Sequence, residues 1–423
     1  MKLAGALLLG GAAFAACAQP PAFLQRSDRE VDPSPEVGGA GFLEPVAPGS
    51  LRVRLAGPEG APELEIGGVA GGPVVLRRDG LEVRASNGER GRHLRLLPRA
   101  GADGLELGGR LYPGELWVTA AAEGGLGVEN RVDLEDYVAG VVPAELVLWS
   151  AEPAEIEAQA VAARTYALRS LETRRSPAER FLWDDTRDQV YLGRYRGGDS
   201  AGARRVAARL VAGVARTRGL VLLDPDGALY DVRFHASCGG HTTSPAEAFP
   251  FESVWHHDPA TCEPCRRIGA EERSWPAEDS RRRRVHWSWT LPAADLARLG
   301  AELGLGGPPY VLADPQVDRH GRWQSVELRA GPRTERLSLR ELRRRVGAAD
   351  LKSGRILKTW PPLGQPIAGG LLLEGLGRGH GAGLCQVGSH EVALQGWNAE
   401  RILAHYLPAS RLAQLPAAGT VDH

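Results

Sequence analysis

The sequence lacks the features that mark several classes of protein. Its charges balance, with 51 Lys and Arg against 52 Asp and Glu, and the net charge of −1 argues against a dedicated nucleic-acid-binding protein. It shows no collagen-like or coiled-coil period and no internal repeat, and aromatic residues make up only 6% of the chain. After the first residues, no run is apolar enough to cross a bilayer. The hydrophobic fraction of 43% is nevertheless that of a globular protein.

The N-terminal segment predicts export. Lys2 supplies a positive charge, and the apolar stretch from Leu3 to Phe14 has the length of a signal peptide but is too short to span a membrane. Signal-peptidase cleavage beside Ala18, lipidation of Cys17 and a retained anchor all remain open. We therefore expect a signal peptide at 1–17, a periplasmic or cell-envelope location, and an acyl-chain membrane tether if Cys17 is lipidated.

The rest of the chain divides by pattern. Residues 18–48 are rich in Pro, Gly and charge, which is typical of a linker. Residues 49–128 alternate apolar and polar side chains between Gly-rich turns and predict a β-rich N-terminal subdomain. Residues 129–415 mix helical periods with hairpin patterns and predict a second domain. Without βαβ alternation, the expected fold class is α+β. We expect a hairpin over 219–234 and three late helices, over 291–303, 337–346 and 391–406.

Glu145 lies in an apolar run just before a helix that the capping pattern at Ser150 and Pro153 predicts. The glutamate is either on the solvent side of a turn, as most glutamates are, or in an apolar pocket. In a pocket, desolvation would raise its pKa and suit it to general acid catalysis near neutral pH. Gln159 and Arg164 lie among small residues of that helix and could contact a ligand or tie down neighbouring loops.

A cysteine–histidine cluster follows a predicted strand. The run from His235 to His241 contains Ser237 and Cys238, and a CxxC pair follows at Cys262 and Cys265. This spacing predicts a zinc site formed by Cys238, Cys262, Cys265 and one histidine, with His235 preferred to His241. A disulfide, Cys262–Cys265 or Cys238–Cys265, is the alternative in an exported protein. Four ligands would make the zinc structural, and three would leave room for a catalytic water.

A glycine-rich segment at 375–386 has glycine at alternate positions and ends in Cys385-Gln386. No acidic residue follows at the distance that a dinucleotide-binding fold needs, so that function is not expected. Alternate glycines suit either a backbone over which a long ligand lies closely or a flexible turn. His380 and Cys385, with His390 as another candidate, could form a Cys–His nucleophile pair only if the fold brings them together.

Five ordered blocks together resemble the SpoIID/LytB family of sporulation stage II protein D and amidase-enhancer proteins. They span residues 134–408. Their sequences are LEDYVAGVVPAE at 134–145, EAQAVAARTYA at 157–167, FHASCGGHT at 234–242, GRGHGAGLCQ at 377–386 and ILAHYLP at 402–408.

The resemblance implies a murein-active exported protein, and specifically a lytic transglycosylase acting on peptidoglycan glycan strands, in some members only on strands stripped of stem peptides. The family's catalytic glutamate maps onto Glu145. The resemblance also implies a cell-wall amidase as a partner and supports zinc near the histidine–cysteine block. The expected substrate contacts are Gln159, Arg164, His235, Ser237, His380 and Gln386. His235 cannot be both a zinc ligand and a free sugar contact, so one of its two assignments must fail.

Such an enzyme needs one acid. Protonated Glu145 would give its proton to the glycosidic oxygen, and the carboxylate would then take the proton of the sugar's own 6-hydroxyl as a 1,6-anhydro ring closes. Two other classes compete with this hypothesis. The chain could be a glycan-binding activator of an amidase without chemistry of its own, or a zinc-dependent cell-wall hydrolase.

Overall fold

A computed structural model of the chain describes residues 49–121, 124–249, 259–270, 284–347 and 349–415. The predicted signal peptide at 1–17, with Cys17, and the predicted linker at 18–48 lie outside the described residues. The structure combines helices with mostly antiparallel sheets and no βαβ succession, which confirms the α+β prediction.

The N-terminal part is built from short strands, as the alternation predicts. In Glu63–Ile66, for example, Leu64 and Ile66 are buried while the glutamates face outward. The strands form a five-stranded sheet of order β11-β1-β10-β9-β6, a four-stranded sheet β2-β3-β4-β5 and a hairpin β7-β8. Their bounds are β1 Ser50–Arg54, β2 Glu63–Ile66, β3 Val74–Asp79, β4 Glu82–Ala85, β5 Arg90–Gly91, β6 His93–Leu96, β7 Leu105–Leu107, β8 Arg110–Tyr112, β9 Glu115–Ala120, β10 Leu126–Asp133 and β11 Leu182–Trp183.

Three helices pack on these sheets: α1 Leu134–Glu145, α2 Pro153–Thr173 and α3 Ala201–Arg216, with a 3₁₀ turn at Pro177–Glu179. Buried side chains of the strands and of one face of each helix form a single hydrophobic core. The predicted boundary between 128 and 129 falls inside β10, and the division into subdomains there stays a prediction. Gly140 allows the segment that carries Tyr191 to pack closely on α1, since an added Cβ would lie 2.4 Å from the Tyr191 ring.

A second core lies on the other face of α2 and includes four buried cysteines. Around it pack the pair β12-β22, which is antiparallel, and the pair β13-β21, which is parallel. The elements are β12 Leu220–Leu223, β13 Phe234–His235, α4 Pro245–Ala248, α5 Glu263–Ala270, β21 Leu384–Cys385, α8 Gln386–Ala393, α9 Ala399–Tyr406 and β22 Arg411–Gln414.

Residues 286–376 form a lobe with a third core of its own, between the two segments that pair as β13 and β21. We call it the inserted lobe. It contains the sheets β14-β20-β18 and β17-β16-β15-β19 and two helices. The bounds are β14 His286–Pro292, α6 Ala293–Glu302, β15 Tyr310–Val317, β16 Trp323–Ala330, β17 Arg333–Ser338, α7 Leu339–Val346, β18 Arg355–Trp360, β19 Pro366–Ile367 and β20 Gly370–Leu376.

Two sequence expectations about local structure are wrong. The helix predicted over 391–406 is two helices, α8 and α9, because the chain turns at Gly396, whose φ is +85°. The hairpin predicted over 219–234 is reduced to one bridge, Leu223 to Leu229, because β12 pairs instead with β22 from the C-terminal end. The helices predicted at 291–303 and 337–346 are confirmed with shorter bounds, as α6 and α7.

A buried ion pair fastens α1 to α2. Arg164 is fully buried and its Nε and Nη2 donate to the Glu135 carboxylate at 2.9 and 2.6 Å. Its Nη1 donates to the Leu220 carbonyl at 2.9 Å, and Glu135 also accepts the Gly219 N–H at 3.1 Å. The pair therefore holds α1, α2 and the start of β12 together.

We expect Arg164→Leu to lower the free energy of unfolding by about 3–5 kcal/mol, because it leaves the Glu135 carboxylate buried without its partner. Urea unfolding of the purified chain measures this. Arg169→Leu, on the exposed side of the same helix, is the control and should change stability by less than about 1 kcal/mol. Equal stability of both variants would contradict a structural role for this ion pair.

Candidate functional site

Glu145 occupies the C-terminal end of α1. The helix begins at the Asp133 cap, whose side chain accepts the Glu135 N–H, and its buried face packs into the first core. At Leu146 the backbone becomes extended, with φ −111° and ψ 148°, so the chain leaves the helix directly after Glu145. The glutamate side chain is thus presented at a helix end, partly buried, and not on an open helical surface.

Two glutamines accompany this carboxyl group. Gln386 Nε2 donates to Glu145 Oε2 at 3.3 Å and lies 3.5 Å from Gln159 Oε1. Both glutamines are buried, and Gln159 Nε2 has no hydrogen-bond partner in the part of the chain that the structure describes. We call Glu145, Gln159 and Gln386 the Glu145 group. It joins three of the residues that the sequence analysis selected, from positions up to 241 residues apart.

Burial raises the pKa of Glu145 from 4.5 to about 7, and the hydrogen bond from Gln386 opposes this shift. The partial negative charge at the end of α1 disfavours the carboxylate as well. Near neutral pH the group is therefore divided between its acid and carboxylate forms, as a residue that both donates and accepts a proton requires. Of the two alternatives for Glu145, the apolar pocket agrees with this environment, and the solvent side of a turn does not.

Two helices hold the glutamines in place. His390 Nδ1 bonds Glu155 Oε2 at 2.9 Å, and both side chains are buried. Glu155 precedes Gln159 by one turn of α2, and His390 follows Gln386 by one turn of α8. The two contacts therefore form successive rungs between α2 and α8 and fix Gln386 relative to Gln159.

The histidines selected from the sequence meet at the glycine-rich segment. His235 Nδ1 bonds the Ala382 carbonyl at 2.9 Å, and His380 Nδ1 accepts the Ala382 N–H at 3.1 Å. Their rings lie edge to face, with centroids 5.6 Å apart. Burial lowers the pKa of His235 to about 4, and burial together with the neighbouring His235 and Arg233 lowers that of His380 well below its usual value. Both rings are therefore neutral at pH 7.

Four cysteine sulfurs meet beside these histidines. Cys238, Cys262, Cys265 and Cys385 are buried, none forms a disulfide, and their sulfur atoms all lie within 4.8 Å of one another. We call them the cysteine cluster. The Cys265–Cys385 and Cys262–Cys385 sulfur separations are 3.6 and 4.0 Å.

The structure therefore brings the three cysteines that were predicted as ligands together with Cys385, and not with His235, which the sequence analysis had preferred. Four cysteines follow Cys17 in the sequence, and this number could have indicated that Cys385 joins the other three. His235 is paired with Cys385 along β13-β21, but its ring bonds Ala382 and does not belong to the group of sulfurs.

The remaining predicted contacts lie apart from the Glu145 group. Ser237 is fully buried with its Oγ 3.5 Å from Cys265 Sγ, and Arg164 is bound to Glu135. The Cys–His nucleophile pair does not form among the described residues, because the Cys385 sulfur faces other cysteines and His390 bonds Glu155.

Gln189 is a further buried glutamine that the sequence analysis did not select, and no hydrogen bond joins it to the Glu145 group among the described residues. Its Oε1 accepts the Tyr137 hydroxyl at 3.2 Å, and its Nε2 is buried without a hydrogen-bond partner among the described residues. The DQVY run from 188 to 191 has no metal or acid–base pattern, so nothing in the residue types pointed to it. With Gln159, it supplies a second buried amide whose donor group is unused.

We expect Glu145→Gln to stabilise the chain at pH 8 by about 2–3 kcal/mol and to have little effect at pH 4.5. Because the folded-state pKa of about 7 exceeds the unfolded value of 4.5, stability is complete below pH 4.5 and falls as pH rises toward 7. Gln cannot ionise and avoids this loss. Urea unfolding at both pH values measures the effect, with Glu157→Gln as control, since that carboxylate pairs with Arg216. A gain that is independent of pH would contradict the raised pKa.

The sequence is similar to a known family over part of its length. The family model described as stage II sporulation protein, SpoIID, matches residues 122–223, which include Glu145, Gln159, Arg164 and Gln189. An uncharacterized protein of Brachyspira hyodysenteriae is 27% identical over 308 residues, covering 72% of this chain and 73% of the relative. The family match indicates a cell-wall function in the context of peptidoglycan. The match at residues 122–223 therefore supports the resemblance of the chain to the SpoIID family.

Proposed function

We propose that the chain is a peptidoglycan lytic transglycosylase in which Glu145 is the single general acid and base. The observation that carries the proposal is a partly buried carboxyl group with a pKa of about 7, held by the Gln386 amide in a SpoIID domain. Such a group supplies a proton and takes one back within the same reaction at neutral pH.

The reaction follows from this one group. Protonated Glu145 gives its proton to the oxygen between N-acetylmuramic acid and N-acetylglucosamine as the bond from that oxygen to C1 of the muramic acid breaks. The 6-hydroxyl of the same muramic acid then attacks C1, and the Glu145 carboxylate takes its proton. A 1,6-anhydro ring forms and no water is consumed, so a second carboxylate is not needed. The Gln386 N–H stabilises the carboxylate stage.

Features around Glu145 support a glycan ligand. Val147 and Trp149 follow it and are 55% and 62% exposed, while the alternate residues are buried. Arg209 donates to the Leu148 and Trp149 carbonyls at 3.1 and 3.2 Å and holds this segment in place. An exposed indole face suits the apolar face of a sugar ring. The unused Gln159 N–H, buried beside Glu145, suits an oxygen acceptor such as an acetamido carbonyl.

The proposal includes an exported location in the periplasm or cell envelope, with an acyl tether at Cys17 and a cell-wall amidase as partner. The composition of residues 1–17 and the family resemblance support these parts. Among the helices of the described residues, none is both long enough and apolar enough to span a membrane.

Zinc is the proposed cofactor, held by the cysteine cluster. Four thiolates about 2.3 Å from a tetrahedral zinc ion lie about 3.8 Å apart, close to the separations of 3.6 and 4.0 Å found here. Backbone N–H groups of Cys238 and Gly388 point at Cys385 Sγ, each at 3.4 Å, as in thiolate sites. Four buried protein ligands close the coordination shell, so the ion would stabilise the fold and not activate water. This geometry favours a structural metal over the zinc-hydrolase alternative.

The test of the enzymatic proposal is a digest of purified glycan strands, intact and stripped of peptides, read by mass spectrometry. Wild type should release fragments one water lighter than hydrolytic products, and Glu145→Gln should reduce their rate by at least about 100-fold. Glu157→Gln, an acid on α2 paired with Arg216, is the matched control and should cleave normally. Binding of both strands without cleavage by wild type would overturn the proposal and favour the amidase-activator alternative.

The metal assignment predicts one zinc ion per chain after purification, measured by mass spectrometry of the metal content. Cys385→Ser should lose most of the zinc and lower the melting temperature, because a ligand is removed. His235→Ala should retain the zinc, since its ring bonds the Ala382 carbonyl. The reverse pattern would restore His235 as the fourth ligand, and a metal-free wild type would overturn the proposal.

A further inference from the structure

Two arginines of the inserted lobe lie beside the cysteine cluster, one at the Cys238 backbone and one at the glycines that follow it. Arg322 lies between β15 and β16, and Arg355 begins β18. The Arg322 side chain is buried, and its Nη2 donates to the Cys238 carbonyl at 2.9 Å. Arg355 packs on the two glycines that follow Cys238. An added Cβ at Gly239 would lie 3.1 Å from Arg355 Cδ, and one at Gly240 would lie 3.7 Å from its Nη1.

The glycine-rich segment leaves room for the Arg322 side chain. Gly381 has a φ of +85°, and an added Cβ there would lie 2.5 Å from Arg322 Nη2. The guanidinium of Arg322 is therefore enclosed between the Cys238 segment and the segment that carries His380 and Cys385. Packing of this kind places a positive charge directly beside two of the four sulfur-bearing residues.

Within the described residues, neither of these two guanidinium groups forms a salt bridge. Arg322 Nη1 and Arg355 Nε are buried without a hydrogen-bond partner in the same part of the chain. The Asp318 carboxylate attracts Arg322 without a salt bridge to its guanidinium group, and its Oδ1 accepts the backbone N–H groups of His320 and Arg322, each at 2.8 Å. The buried Arg322 guanidinium, with an unused N–H and the half-buried Arg355 close by, favours a further anion at this place.

We propose that Arg322 and Arg355 are the charge partners of a divalent metal–tetrathiolate centre in the cysteine cluster. The inference rests on the proposed zinc ion. A divalent cation with four thiolates carries a net charge of −2, and the two guanidinium groups supply +2. Neutral thiols or disulfides would supply no negative charge to either arginine. Metal binding therefore fastens the inserted lobe to the rest of the molecule, and loss of the metal loosens this contact.

The test measures zinc affinity of the full chain by competition with a chromogenic chelator. Arg322→Met and Arg355→Met remove charge but keep an unbranched apolar side chain, and each should weaken zinc binding about 10-fold, the lower range for residues that contact metal ligands. Arg322→Lys keeps the charge and should recover part of the loss. Arg329→Met, on the surface of the same lobe, is the control and should bind as wild type does.

Two further readouts separate charge from packing. Cobalt substitution reports the thiolate centre through its sulfur-to-cobalt absorption, which should weaken in both methionine variants. Hydrogen exchange over residues 286–376 should increase when zinc is removed from wild type. Unchanged affinity in both methionine variants, with zinc bound through Cys385, would overturn this inference alone. A wild type that binds no metal would overturn the zinc proposal together with it, whereas glycan cleavage tests Glu145 separately.

Discussion

The convergence of four buried sulfur atoms is the constraint on which the rest of this structure depends. Cys238 and Cys385 are 147 residues apart in sequence, yet β13 and β21 bring their segments side by side. Cys385 is followed at once by Gln386, so the packing that fixes the sulfur also fixes the amide beside Glu145. The inserted lobe lies between the paired segments, where Arg322 bonds the Cys238 carbonyl and Arg355 packs on the two glycines that follow Cys238. The Glu145 group, the inserted lobe and the glycine-rich segment are thus all connected to this cluster.

The position of Glu145 at a helix end and its burial determine the pKa of this candidate acid. Glu145 would be ordinary on a solvent-exposed surface, but desolvation raises its pKa to about 7 while Gln386 limits the rise. This tuning costs stability at alkaline pH, because the folded state resists ionisation. The successive contacts Gln159–Gln386 and Glu155–His390 keep the helices from relaxing around the charge. The raised pKa that the proposed catalytic role requires therefore lowers stability at alkaline pH.

Much of the fold and some of the site could be predicted from local pattern. Period-2 alternation identified the N-terminal strands, and helical spacing identified α2, α6 and α7, because these signals depend on neighbours in the sequence. The pairing of β12 with β22 could not be predicted, since it joins residues about 190 positions apart. For the same reason Gln189 was overlooked and His235 was preferred to Cys385. Which side chain completes a cluster depends on packing between distant segments.

The amino-acid sequence by itself determined the α+β class, the SpoIID resemblance and the selection of Glu145, Gln159 and Gln386. Residue type, spacing and block order carry that information without coordinates. Only the tertiary structure decided that these three meet, that Arg164 holds Glu135, and that Cys385 joins the other cysteines. The physical reason is burial. Desolvation, hydrogen-bond satisfaction and charge compensation belong to the assembled environment of a side chain, and that environment comes from segments that are remote in sequence.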